Sequence, residues 1–107
     1  MNQKRSGREA IAVKRQPLVL AADIGNTSVT LGLLSGETMK AEKRIPTSEC
    51  DSAVIERAIR GLLGRRKSDG AVLGSVAPAA VARWVRAMRK AAGVTPLLVH
   101  SGLDFGM

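Results

Sequence analysis

Hydrophobic and polar positions change their period along the chain, and each change marks an element. Leu18-Val19-Leu20-Ala21-Ala22 is an unbroken apolar run, as a strand covered on both faces requires. From Ser28 to Leu34 the pattern alternates, with Val29, Leu31 and Leu33 on one side, which predicts a strand with one buried face. Ser35-Gly36-Glu37 predicts a turn, and the weak alternation from Thr38 to Ile45, carrying Lys40, Glu42, Lys43 and Arg44, predicts a polar edge strand. These three strands should be antiparallel.

The period then becomes helical. Asp51 or Ser52 can cap a helix in which Val54/Ile55, Ala58/Ile59 and Leu62/Leu63 recur every four residues, while Glu56, Arg57, Arg60 and Arg65 lie largely off that stripe; it should end between Gly64 and Lys67. Asp69-Gly70 turns the chain into a buried-type strand, Ala71 to Val76, and Pro78 stands where a helix-starting proline belongs. Val81, Trp84/Val85, Met88 and Ala91/Ala92 form the second helical stripe, Gly93 is its stop, and Thr95 to His100 is a final strand. The predicted order is β-β-β-α-β-α-β, an α/β fold in which a meander feeds right-handed crossovers into a mixed sheet flanked by helices.

Between the first two strands lies Asp23-Ile24-Gly25-Asn26-Thr27. An aspartate closing a buried strand can face a metal-nucleotide complex. A glycine admits a turn with φ > 0 close to a ligand, and the Asn26 and Thr27 side chains and turn amides can donate to phosphate oxygens. A Gly-Asn pair between apolar runs is also an ordinary hairpin turn, so the pentapeptide by itself leaves both readings open.

Composition narrows the setting. With 107 residues, 45% of them hydrophobic, one modest core is expected, and two lobes of ordinary size would not fit. Cys50 is the single cysteine, so no internal disulfide can form, and no Cys/His cluster has metal-ligand spacing; a reducing, cytoplasmic setting is expected. No apolar run approaches the ~20 residues that cross a bilayer, and no membrane partner is expected. The net charge of +8 suggests nucleic acid, but Lys4, Arg5, Arg8, Lys14 and Arg15 against Glu9 put half of that excess in the first 15 residues. Residues 1–16 lack an apolar period and read as a basic, disordered extension. An aromatic share of 2% provides no base-stacking platform, so nucleic acid is not the expected partner.

Several residues have plain readings. His100, at a strand end without a partner histidine or acid pair, reads as a surface or cleft-edge residue. Cys50, in a polar loop, reads as an incidental thiol, and Trp84 on the helical stripe reads as core. Arg83, Arg86, Arg89 and Lys90 have the spacing of a solvated helix face.

The order of all these pieces carries a resemblance. Asp23-Ile24-Gly25-Asn26-Thr27 resembles the first phosphate loop of the actin, Hsp70 and sugar-kinase superfamily, in the form found in type III pantothenate kinases. Arg44-Ile45-Pro46-Thr47 is similar to their Arg-x-x-Thr segment, and Gly74-Ser75-Val76-Ala77-Pro78 to their Ser-Val-x-Pro element before a helix. The resemblance covers nearly all of residues 17–107 and implies one ribonuclease-H-like, nucleotide-binding lobe. It implies ATP-dependent phosphorylation of pantothenate to 4'-phosphopantothenate in coenzyme A biosynthesis. Asp23, Ile24, Gly25, Asn26, Thr27, Ser28, Val29 and Thr30 would then bind ATP phosphate, and Asp23 would meet Mg2+ or another divalent cation directly or through water. It also implies a homodimer and a monovalent cation such as K+, held in a second lobe. The family's Gly-Ala-Asp-Arg element with its catalytic aspartate, and its second Asp-x-Gly-Thr motif, do not occur in these 107 residues. The expectation is an N-terminal lobe, incomplete at its C-terminal end and inactive alone, from a fragment, a truncated product or a split enzyme. Two other readings stand beside it: a non-catalytic regulator resembling Bvg accessory factors, and a small interaction domain with a fortuitous motif.

Overall fold

The structure is a computed structural model that describes residues 16–75 and 78–100. Its elements are β1 (Leu18–Ile24), β2 (Ser28–Ser35), β3 (Thr38–Pro46), a 3-10 turn (Thr47–Glu49), α1 (Ser52–Leu63), β4 (Gly70–Ser75), α2 (Pro78–Ala92) and β5 (Leu97–His100). The five strands form one sheet in the order β3-β2-β1-β4-β5. β1, β2 and β3 are antiparallel neighbours, while β4 pairs parallel to β1 and β5 parallel to β4. The expected α/β order and the polar edge strand are thus observed.

Register decides which residues enter the core. Leu20 opposes Leu33, Ala22 opposes Leu31 and Ile24 opposes Val29, with Ala71 and Leu73 alongside in β4. All of these are buried in one cluster with Ile55, Ile59 and Leu63 of α1 and Trp84, Ala87 and Met88 of α2. Alternation puts Val19, Ala21 and Asp23 of β1 on the opposite face, next to Gly32 and Thr30. Trp84 is core, as its place on the stripe predicts.

The helix ends follow local chemistry. Asp51 caps α1 by accepting the Val54 N–H at 2.9 Å, and Gly64 ends it at φ 61°, a left-handed conformation in which glycine avoids a Cβ clash. Asp51→Ala is expected to destabilise the chain by about 1 kcal/mol, read as a lower denaturation midpoint at unchanged slope in urea.

Several boundaries differ from expectation. β3 runs one residue further, to Pro46, which is tolerated on an edge strand. A 3-10 turn follows it that the sequence pattern does not announce. The fourth strand is Gly70–Ser75, and Val76, expected to end it, lies outside the described residues. The last strand starts at Leu97, and Thr95, expected to open it, accepts a side-chain hydrogen bond from Arg89 Nε at 3.1 Å. The basic positions Arg83, Arg86, Arg89 and Lys90 of α2 are exposed, as their spacing predicts, and Arg83 and Lys90 also reach polar partners. Arg83 Nη1 donates to the Cys50 carbonyl at 3.1 Å, and Lys90 Nζ reaches Glu56 Oε1 on α1 at 3.8 Å. The basic extension expected over residues 1–16 lies outside the described residues except for Gln16.

Candidate functional site

The parallel strands β1, β4 and β5 end at the same edge of the sheet, the edge at which open α/β sheets hold ligands. The Gly25–Thr27 connection into β2 lies at that edge. Asp23 stands one residue before the end of β1, between Thr30 of β2 and Gly74 of β4. Its neighbour on β4, Gly74, is buried and has no side chain. Asp23 is half-buried, and among the described residues no hydrogen bond or ion pair engages its carboxylate. Arg44 of β3 continues the same row beyond Thr30, bringing a cation to this face of the sheet.

The turn departs from expectation at its glycine. Positive φ occurs at Gly36, Gly64 and Gly93, and Gly25 is not among them. Glycine is favoured here by proximity: the Gly25 N–H donates to the Ser28 carbonyl at 2.9 Å, and a Cβ on Gly25 would stand 3.0 Å from that same oxygen. Asn26 and Thr27 are exposed at the tip, with Ser28 and Thr30 half-buried behind them. Ile24 and Val29 are fully buried on the helix side, so only their backbone atoms face the site. Gly25→Ala is expected to raise the apparent Kd of any ligand of this turn several-fold by displacing the Ser28 carbonyl, at nearly unchanged far-UV circular dichroism; calorimetric titration against the wild-type chain checks it.

A second segment braces the turn. The Thr47 N–H donates to the Thr27 carbonyl at 2.9 Å, and the Thr47 hydroxyl donates to the Gly25 carbonyl at 2.9 Å. The family resemblance singled out Arg44-Ile45-Pro46-Thr47 but not this contact, which spans 22 residues. Of Gly74-Ser75-Val76-Ala77-Pro78, Ser75 ends β4 beside Ile24 and Pro78 opens α2, while Val76 and Ala77 lie outside the described residues.

Other candidates separate from this edge. Cys50 is buried, and burial pushes its thiol above the ordinary value, against the pull of Arg83 and with added upward pushes from Glu49 and Asp51. The thiol is therefore the stable form at neutral pH. Alkylation of the native chain at pH 7 is expected to run at least about tenfold slower than in denaturant. Because the folded pKa is raised, this group's contribution to stability is complete below the unfolded pKa and is lost as pH rises through the folded one. His100 lies in β5, with its side chain outside the described residues. A groove of about 700 Å³ runs between β3 and α1, lined by Ile45, Glu49, Val54, Arg57, Ala58 and Leu62 among others. It opens beside the sheet's outer edge, and Asp23 is not among its lining residues. No group of three or more His, Cys, Asp or Glu side chains that could hold a metal occurs among the described residues, and no described helix is long and apolar enough to cross a membrane.

The strand order and the hairpin at its carboxyl edge define one lobe of a sugar-kinase-like fold. A ROK hexokinase from Thermus thermophilus has the same arrangement, with a TM-score of 0.56 over 78% of this chain and 33% of that one, at 18% identity. A sequence profile of the type III pantothenate kinases matches residues 19–107, and the chain belongs to that family. Relatives named type III pantothenate kinase include those of Thermus thermophilus, 36% identical over 94 residues, and of Moorella thermoacetica, 29% identical over 96 residues. Another, from Nocardioides, is 33% identical over 93 residues. The first two alignments cover 84% of this chain and 37% and 38% of the relatives, so the chain spans little more than a third of their length.

Proposed function

We propose that residues 17–107 form the N-terminal nucleotide-binding lobe of an enzyme that transfers the γ-phosphoryl group of ATP to pantothenate. The observation that carries this reading is Asp23: a half-buried carboxylate without a partner among the described residues, beside a side-chain-free glycine, at the base of a turn with an exposed Asn-Thr tip. A half-buried carboxylate with no partner among the described residues is available to an external cation. A single carboxylate matches Mg2+, which is commonly held by one or two carboxylates together with substrate phosphates. When bound, the cation would neutralise phosphate charge.

In this reading the turn amides and the Asn26 and Thr27 side chains hold the β- and γ-phosphate oxygens, and Asp23 orients the metal-nucleotide complex. The pantothenate hydroxyl attacks the γ-phosphorus in line, losing its proton to an aspartate of a second lobe, while ADP leaves. Family membership supports that second lobe, a K+ site within it, and a homodimer; the free, buried Cys50 is compatible with a reducing cytoplasm.

MgATP titrated into the chain is expected to raise its melting temperature and to shift the backbone amides of residues 25–28. No shift at those amides would remove the turn from the ATP site. A coupled assay is expected to show no phosphorylation of pantothenate by the purified 107-residue chain, because the catalytic aspartate and second phosphate motif are not in it. Turnover by this chain alone would contradict the two-lobe reading.

A further inference from the structure

The ATP reading leaves Arg44-Ile45-Pro46-Thr47 without a task, and the turn's hydrogen bonds give one to Thr47. Ile24 and Val29 are the last register pair of the β1-β2 hairpin, so Gly25 and Ser28 face each other next. At such a position two antiparallel residues ordinarily exchange both N–H···O bonds. One of the two is made, from the Gly25 N–H to the Ser28 carbonyl at 2.9 Å. The return bond is not among the turn's hydrogen bonds. In its place the Gly25 carbonyl accepts the Thr47 hydroxyl at 2.9 Å, while the Thr47 N–H, also at 2.9 Å, takes the Thr27 carbonyl.

Thr47 thus holds two alternate carbonyls of the turn from the β3 side. In a trans peptide the N–H points opposite to the carbonyl of the same unit, so the amides of Asn26 and Ser28 are turned away from Thr47. Amides pointing together out of a turn can donate to an anion. We propose that Thr47 is a positioning residue for nucleotide phosphate: by occupying the Gly25 carbonyl it keeps the hairpin from closing on itself and frees the Ser28 amide for a phosphate oxygen. This rests on the ATP reading above. Without the hydroxyl, the Gly25 carbonyl lacks its partner and the Ser28 N–H is the donor across the turn, so the return bond forms and one amide is withdrawn. Thr47 itself does not touch the ligand. Its effect should therefore be restored by serine, which keeps the hydroxyl, and not by valine, which keeps the shape.

The test is amide NMR on the full 107-residue chain, as wild type, Thr47→Val and Thr47→Ser, with MgATP as the probe. Before nucleotide is added, the Ser28 amide is expected to exchange quickly in wild type and Thr47→Ser, and about tenfold more slowly in Thr47→Val. With MgATP, wild type and Thr47→Ser should shift the amides of Asn26, Thr27 and Ser28. Thr47→Val should bind on the order of tenfold more weakly, as the loss of one charge-assisted hydrogen bond implies, with an unmoved Ser28 amide. Equal Ser28 exchange and equal MgATP affinity in Thr47→Val, with MgATP still shifting the loop amides of the wild type, would overturn the role of Thr47 and leave the ATP reading standing. Failure of MgATP to move any loop amide in the wild type would overturn the ATP reading and this inference with it.

Discussion

Asp23→Asn, in a two-lobed kinase built on this sequence, is expected to lower kcat by about 10²- to 10³-fold at saturating MgATP, with little change in melting temperature. Asparagine matches aspartate in size but lacks the charge that would hold the metal-nucleotide complex. Loss of one charged contact to a transferring phosphoryl group costs a few kcal/mol of barrier. The fold should tolerate the change because Asp23 lies on the sheet face away from the helices and has no partner among the described residues to lose. If Asp23 only supported the turn, stability would shift slightly and kcat would stay near wild type. Measuring both quantities on one preparation separates the alternatives.

Trp84→Ala is expected to be the most destabilising single truncation, by about 3–5 kcal/mol. Trp84 is 1% exposed and heads the fully buried side chains in volume. It belongs to the cluster in which α2 meets α1 and the sheet. The loss combines the transfer energy of the indole with a cavity that the rigid sheet cannot fill. A domain of this size has a net stability of only about 5–15 kcal/mol, so the variant should stand near the edge of folding. Urea denaturation followed by far-UV circular dichroism should show a much lower midpoint, with Trp84→Phe retaining a larger share of the stability. A midpoint shift under 1 kcal/mol would mean that α2 is not packed as described.

The two substitutions strike different parts of the same architecture. Asp23 and its row, Thr30, Arg44 and Gly74, occupy the face that alternation turns away from the core, whereas Ile24 and Val29 anchor the same hairpin from beneath. A turn on such an anchor is positioned by strands, which would suit a site that must meet charge with little reorganisation. The segment matched by the type III pantothenate kinase profile includes the hairpin from residue 19 onward.

The sequence by itself determined the element order, the polar edge strand, the ends of α1 to within a few residues, the core membership of Trp84 and the location of the candidate loop. These depend on short-range physics. Burial periods of two and about 3.6 residues follow from strand and helix geometry, and Asp51 and Gly64 act within one turn of their own helix. Only the tertiary structure decided why Gly25 is glycine: the cause is a carbonyl 3.0 Å from its missing Cβ, not a left-handed φ. It alone joined Thr47 to Gly25 across 22 residues, Arg83 to Cys50 across 33, and the Leu18 N–H to the Asp69 carboxylate across 51. No local period encodes such contacts, because each exists only after strand register and helix docking have fixed both partners to within a hydrogen-bond length.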